Sequence, residues 1–580
     1  MDSHRVRPSL HFTANCWIND PCAPGYDPAT GLYRVFYQCN PHGTEWGSMS
    51  WGHLISEDLI HWTPSTKPAL IPDQPYDRDG VFTGCMAPTD TSETGSLRVI
   101  YSSVRHLPFH WSTPPYPPNA AGLALAESRD NGKTWTKYSE NPILLGEPKG
   151  VQVTGFRDPF LAEWHALNNL RGQSSMYGLV SGGIEDHGPT AFLYSVPHRN
   201  VSDWHYLSPL VNMPARFQPS QKWSGNFGIN WECVNFLTLQ AGSKSRVCLI
   251  LGAEGDTERE HIRNFKGAAH IPPRTVRSLL WMFGDLRVEN NVPRVDYTHG
   301  GYLDCGSLYA ANSFFDPVSK GYMMHAWIPE EDIPASHAKD KGWNGALAIP
   351  RELFLLSIPN VTRALYSPLS EISSVEQVGN RNGSATIYTL GIRPVEEIVK
   401  LRKCHRHSCQ RKYISVPHPK AGESHVLCST FSTTWELEAE ITINPSCCSE
   451  VGFHILHNSD MSICTSIKIS LQDETLSVNK ERSTSDPNIR NCTEQGPFTL
   501  FYRTDYLGVE TEDKLESLRI RIISDADVLE VFANDRFALA TMVYSPDIAP
   551  VGISAFAKGK QGSAVIEEVN IWEGLSSAQR

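Results

Sequence analysis

Three acidic residues stand in settings where a carboxylate is costly. Asp20 sits in the run Trp17-Ile18-Asn19-Asp20-Pro21, just before the turn formers Pro24, Gly25, Asp27, Pro28 and Gly31. Asp158 lies in Phe156-Arg157-Asp158-Pro159 with a cation beside it, and Glu232 interrupts the apolar run from Trp231 to Phe236. Each has an ordinary explanation alone. Asx side chains bond backbone amides in turns and proline fixes φ; Arg157 and Asp158 can be an ion pair; a strand acid can be salt-bridged. Three such acids, far apart in sequence, instead suggest strand ends that converge on one pocket.

Carboxyl groups brought together can cleave a glycosidic bond, one attacking the anomeric carbon and one protonating the leaving oxygen. A separation of about 5–5.5 Å corresponds to a retaining route through a covalent glycosyl-enzyme. The two groups need different protonation states. Glu232 is expected to carry the proton, because desolvation in its apolar run disfavours the charge. Asp20, among turn amides, is expected to stay ionised and act as the nucleophile. Asp158 is expected to stay ionised beside Arg157, where it could hold sugar hydroxyls and offset oxocarbenium charge.

The elements that must position these acids are strands. The chain has 580 residues, more than one compact core usually holds, and 42 Gly and 40 Pro punctuate it heavily. Leu32–Gln38 and Ser50–Ile55 are rich in aromatic and β-branched residues, as strands are. A unit of strand, Asx-type turn and returning Trp recurs, ending at Trp62, Trp135 and Trp204. The interval of roughly 70 residues fits propeller blades enlarged by loops. Leu10 to about Val395 therefore reads as a β-propeller, in which radial repetition protects sheet edges. Residues 396–411 are basic and weakly apolar and read as a linker. Beyond them, Glu436–Ile441 and Leu518–Ile522 alternate strictly, and Asp527–Leu539 reads as a hairpin about Asn534-Asp535. That pattern predicts a β-sandwich over 412–580.

Composition narrows the function. Net charge is -12 and no long Lys/Arg run appears, which argues against nucleic-acid binding. No apolar stretch reaches membrane-spanning length. Fifteen Trp and 20 Tyr offer faces for sugar rings. Met1–Arg7 has no apolar signal core, so the expected location is cytoplasmic, or secreted with a signal removed. Cys404-His405-Arg406-His407-Ser408-Cys409 crowds four candidate ligands into six residues, too tight for a closed zinc site.

The three acidic motifs resemble, in order, the signature motifs of glycoside hydrolase family 32, the invertases, inulinases and fructosyltransferases. The match continues through Phe36-Tyr37-Gln38, Trp46-Gly47 with Trp51-Gly52-His53, Phe82-Thr83-Gly84, Gly342-Trp343-Asn344-Gly345 with Pro350-Arg351-Glu352-Leu353, and Glu530-Val531-Phe532. The resemblance implies a five-bladed propeller over 1–395 with a C-terminal β-sandwich, and no metal or cofactor. It implies Asp20 as nucleophile, Glu232 as acid/base and Asp158 as transition-state stabiliser. Asn19, Gln38, Trp46, Phe82, Thr83, Arg157 and Trp343 would form the fructosyl pocket. The implied activity is a retaining β-fructofuranosidase on sucrose and fructo-oligosaccharides, with transfructosylation. An exo-inulinase or levanase is the alternative, and a non-catalytic fructan-binding protein would be expected to lack a carboxylate. A homodimer is the expected assembly. The sequence departs from the family pattern at Cys22-Ala23, Cys39, Cys85 and Val234; Cys22 beside the nucleophile is similar to fungal-type enzymes. Cys22, Cys39 and Cys85 read as small buried hydrophobes.

Overall fold

The structure, a computed structural model, describes residues 7–577 except 89–95, 111, 113–114, 256–273, 276, 381–382, 418–423, 431, 505–512 and 546–551. It is nearly all-β. Five antiparallel sheets follow one another along the chain, then two six-stranded sheets. The first four are meanders of four strands each, and the fifth is enlarged to eight by short strands that include Phe501–Thr504 from much later in the sequence.

The first strands of the five sheets are Trp17–Asp27, Gly80–Ala87, Val153–Glu163, Asn230–Ala241 and Tyr309–Asp316. Each lies beside the first strand of the next sheet, and the fifth lies beside the first. Every one of them carries at least one residue more than its partner strand can match, and the first and third carry two. Asn19 and Asp20 oppose Gln38 alone, Phe82 and Thr83 oppose Ser102, and Asp158 has no opposite residue at all. Cys233 and Val234 oppose Leu251, and Ala310 and Ala311 oppose Ala326. A bulge leaves one residue out of the ladder and re-aims its side chain. Asp158, Cys233 and Ala310 accordingly take φ of 60°, 50° and 53°, a region that costs an ordinary L-residue roughly 1–2 kcal/mol.

Side chains from the neighbouring sheets hold these irregular positions. The Asp158 N–H donates to Ser102 Oγ (2.7 Å), the Val234 N–H to Ser181 Oγ (2.8 Å) and the Ser313 N–H to Asn235 Oδ1 (2.7 Å). Asn312 Nδ2 completes the circuit by donating to the carbonyls of Gly84 (3.0 Å) and Pro21 (3.4 Å). Backbone groups freed by a bulge must find partners when buried, and the Asp158 and Val234 N–H groups find theirs on the preceding sheet.

The two six-stranded sheets share one apolar core. Leu437, Ile441, Ile520 and Val531 of one sheet meet Val451, Phe453, Ile467 and Leu476 of the other. The alternation read from the sequence puts Leu437, Ala439 and Ile441 inward, and the hairpin turns through Asn534 and Asp535, both left-handed. Residues 396–404, read as linker, form a 3-10 helix, and the strand His407–Val416 pairs with Ala564–Glu573. Within the tight cluster of candidate ligands, Cys404 is exposed while Cys409 is buried in that core. Two of the matched motifs are joined away from the carboxylate cluster. Arg351 bonds Glu530 Oε2 (2.6 Å) and Asp304 Oδ2 (2.8 Å), and His11 bridges Asp525 and Glu530, both at 2.9 Å.

Candidate active site

The bulges of the first, third and fourth sheets bring Asp20, Asp158 and Glu232 to one place. The Cys233 thiol lies 3.8 Å from Asp20 Oδ2 and 3.8 Å from Asp158 Oδ2, and the Cys233 N–H donates to Asp158 Oδ2 at 3.3 Å. Glu232, one residue earlier, accepts from Arg157 Nε (2.9 Å) and Nη2 (2.7 Å) at Oε1, and from the Tyr309 hydroxyl (2.8 Å) at Oε2.

Asp20 is fixed from both sides. Asn19 Nδ2 donates to Oδ1 at 3.2 Å, while Thr83 Oγ1 and Gln38 Nε2 (3.3 Å) donate to Oδ2. Gln38 also donates to Thr83 Oγ1 at 2.6 Å, and the Trp17 indole donates to Asn19 Oδ1 at 3.3 Å. Aromatic rings build a wall beside the acids. Trp46, 51% exposed, stands edge-on to Phe82 with ring centroids 6.1 Å apart; Phe82 meets Phe109 at 6.0 Å; the Arg157 guanidinium lies 5.7 Å from the Phe109 centroid. Trp343 stands apart from this wall: it is 2% exposed, with its ring in the core under the Lys341 ammonium.

Three further residues belong to the cluster. Glu254, 5% exposed, accepts from Arg157 Nη2 and from Asn230 Nδ2, each at 2.8 Å. Arg277 lies over the rings of Tyr309 (4.7 Å) and Trp327 (5.0 Å) and pairs with Glu331 at 2.9 Å. Tyr309 holds Glu232 as described. Glu254 carried a readable signal, since it ends the apolar run Val247–Ala253 much as Glu232 interrupts its own. Arg277 and Tyr309 carried none.

The charges reverse the expectation from local sequence. Burial pushes the Asp20 carboxyl up to about 6, and the charge of Glu232 adds to this against the hydrogen bonds of Thr83 and Asn19. Asp158 is held well above the ordinary carboxylate range by burial, with Glu232 and Asp20 adding to it and Arg157 opposing. Glu232 also loses hydration, but Arg157 and the Tyr309 hydrogen bond outweigh this and lower it. Burial and the charge of Glu232 push Glu254 up to about 7. Below about pH 6 the cluster therefore holds its protons on Asp20 and Glu254 in preference to Glu232, and Asp158 is raised in the same direction. Four carboxyls, Asp158 and Glu254 buried and Asp20 and Glu232 partly so, face two guanidiniums, so full ionisation would leave excess negative charge in a poorly solvated place. The cluster retains protons for that reason.

Two family models match the chain, "Glycosyl hydrolases family 32 N-terminal domain" over residues 11–367 and "Glycosyl hydrolases family 32 C terminal" over 397–573. The chain belongs to glycosyl hydrolases family 32. Among curated relatives of this family 32 chain is a beta-fructofuranosidase, insoluble isoenzyme 1, of Oryza sativa subsp. japonica, 29% identical over 399 residues. That alignment covers 67% of this chain and 60% of the rice protein, so it spans less than two thirds of the relative. Solved structures agree over nearly the full length. A beta-fructofuranosidase of Aspergillus kawachii complexed with glycerol superposes with a TM-score of 0.85 at 25% identity, covering 99% of this chain and 95% of that one. A fructosyltransferase from A. japonicus gives 0.85 at 26% identity, covering 99% and 96%.

Proposed function

We propose that this family 32 chain is a retaining β-fructofuranosidase that cleaves sucrose or fructo-oligosaccharides and passes part of the fructosyl groups to sugar acceptors. The observation that carries the reading is the convergence of Asp20, Asp158 and Glu232 around the Cys233 backbone and thiol. In this reading the five sheets are the blades of a propeller that spans 1–395, joined through the 3-10 helix at 396–404 to a sandwich whose first strand, His407–Val416, starts before the expected boundary at 412.

Asp20 attacks the anomeric carbon of the fructosyl unit and Glu232 protonates the departing oxygen. Glu232 then takes a proton from water or a sugar hydroxyl, which attacks the fructosyl–Asp20 ester. The proton inventory of the empty site supports such a cycle. The cluster already stores the proton that the acid needs, and the two groups that must exchange roles, Asp20 and Glu232, sense each other's charge. A bound sugar that presents its oxygen to Glu232 and its electron-poor carbon to Asp20 favours the proton on Glu232 and the charge on Asp20. Asp158 accepts hydroxyls of the sugar, and Gln38 and Thr83 hold the attacking oxygen in line. The half-exposed Trp46 with Phe82 forms the apolar wall, and the similarity to a fructosyltransferase favours transfer over an exo-inulinase reading.

The test is incubation with concentrated sucrose. Free glucose in excess of free fructose is expected, with fructo-oligosaccharides accounting for the difference, and methanol as acceptor should give the β-fructoside. Equal release at all sucrose concentrations removes transfer; the α-fructoside removes retention; no release removes the reading.

A further inference from the structure

Cys16 and Cys39 take no part in the carboxylate chemistry but flank the strand pair that carries it. Cys16 immediately precedes the strand Trp17–Asp27, and Cys39 follows Gln38, whose amide donates to Asp20 and Thr83. In the ladder Ile18 faces Cys39 and Trp17 faces Asn40. Alternate residues share a face, so Cys16 and Cys39 project to the same side, one diagonal step apart. Both belong to one apolar cluster with Ile18, Tyr37 and Phe12.

The two thiols differ in the way an attacking and a resolving thiol differ. Cys16 is half-buried at a bend outside the ladder, whereas Cys39 is 5% exposed within its strand. A hydrogen bond from Cys39 and the nearby Arg7 guanidinium hold the Cys16 thiol below the ordinary cysteine range although burial opposes this; Cys39 is raised by the same contact and by burial. A half-buried thiol whose ionisation a neighbouring guanidinium favours, next to a buried partner thiol, is an arrangement suited to selective oxidation.

We propose that Cys16 and Cys39 form a reversible disulfide that draws in the start of the Asp20 strand and lowers turnover at the adjoining site. The co-reactant is a small disulfide of the glutathione type. The Cys16 thiolate attacks one of its sulfurs, giving a mixed disulfide and one free thiolate. Cys39 loses its proton to solvent and attacks the Cys16 sulfur, releasing the second small thiol. Two protein thiols are oxidised and one small disulfide is reduced to two thiols.

Diagonal strand neighbours start with Cα atoms roughly 7–8 Å apart, whereas a disulfide holds them at about 4.4–6.8 Å, so closure moves Cys16 inward by about 1 Å. The next residue is Trp17, whose N–H donates to the Gly43 carbonyl (2.8 Å) and whose indole orients Asn19 against Asp20. A displacement of about 1 Å near reacting groups costs up to about 100-fold in rate. The disulfide itself is independent of the sucrose reading, and its effect on turnover rests on that reading.

The experiment equilibrates the full-length protein in buffers of increasing oxidised-to-reduced glutathione ratio. Peptide mapping reads the linkage, and kcat/KM for sucrose reads the effect. Expected are a Cys16–Cys39 linked peptide, a fall in kcat/KM of about tenfold, and recovery on reduction by dithiothreitol. Cys16→Ser and Cys39→Ser should each lose the redox response while keeping the reduced-state rate. Both thiols remaining alkylatable at the most oxidising ratio overturns the proposal, as does linkage to other cysteines, or linkage with no change in rate. If the reduced protein does not cleave sucrose, the β-fructofuranosidase reading fails and the peptide map still decides the disulfide.

Discussion

Replacing Glu254 by Gln isolates the charge that keeps a proton available to Glu232. The two carboxylates grip the same guanidinium nitrogen, Arg157 Nη2, at 2.7 Å and 2.8 Å. Their nearest oxygens are thus at most about 5.5 Å apart, and at an effective dielectric of about 20 two unit charges at that distance repel by about 3 kcal/mol. That corresponds to about 2 pH units on either group. Glu254, lifted to about 7 by burial and by Glu232 itself, is neutral in acid and charged above neutrality. Once charged, it repels the negative charge of Glu232, so above neutrality it favours movement of a cluster proton onto Glu232 when the sugar binds. The amide introduced by Glu254→Gln has the same shape and no charge. The alkaline limb of kcat/KM for sucrose, recorded over about pH 4–9, should therefore move down by about 1–2 units. The acid limb should stay, because Glu254 is already neutral there, and the unmoved limb also reports an intact fold. An alkaline limb that stays in place or rises refutes the coupling through Arg157.

Three further outcomes follow from the same contacts. Asp20→Asn and Glu232→Gln should each lower kcat for sucrose by several orders of magnitude, about 10⁴-fold or more, with an unchanged melting temperature; near wild-type turnover in either would remove the assignment of roles. Ser181→Ala leaves the buried Val234 N–H without its acceptor and should cost about 1–3 kcal/mol in urea unfolding, so an unchanged midpoint would deny that the bulges depend on neighbouring sheets. His11 is fully buried; burial opposes its charge, but the bonds to Asp525 and Glu530 raise it to about 9 from an unfolded value near 6.5. Its contribution is complete below the unfolded value and is lost as pH rises through about 9. Roughly 3 kcal/mol should therefore disappear between neutral and alkaline solution in wild type and not in His11→Gln, and equal pH slopes for the two proteins would argue against it.

How far the site could be read from sequence depended on how local each cause is. The strands were legible because alternation and aromatic runs are local, as at Glu436–Ile441. The three acids were legible because each sits in a short run that looks wrong for a carboxylate. The bulges were not, since an extra residue exists only relative to the partner strand; nothing in Phe156–Pro159 says that Asp158 has no opposite number. Glu254 shared the signal of Glu232 but lacked a motif to draw attention to it. Trp46 and Trp343 looked alike as pocket walls, and long-range packing separates them: one stands half-exposed against Phe82, the other lies in the core under Lys341.

The reversed charges at the site have the same origin and show its direction most clearly. Arg157 adjoins Asp158 in sequence, and neighbourhood alone assigns its charge to that acid. In space its Nε is 3.9 Å from Asp158 Oδ2, whereas Nε and Nη2 bond Glu232, 75 residues away, at 2.9 and 2.7 Å. The bulge at Asp158 explains the redirection, because the extra residue turns the aspartate out of the ladder while Arg157 stays paired to Ser181. The guanidinium then reaches the next sheet rather than its own neighbour. Glu232 gains both guanidinium N–H bonds and is lowered; Asp158, buried and left with a more distant cation, is raised. One inserted residue thus decides which acid is ionised in the empty site, and with it which group must acquire a proton before a sugar can be cleaved.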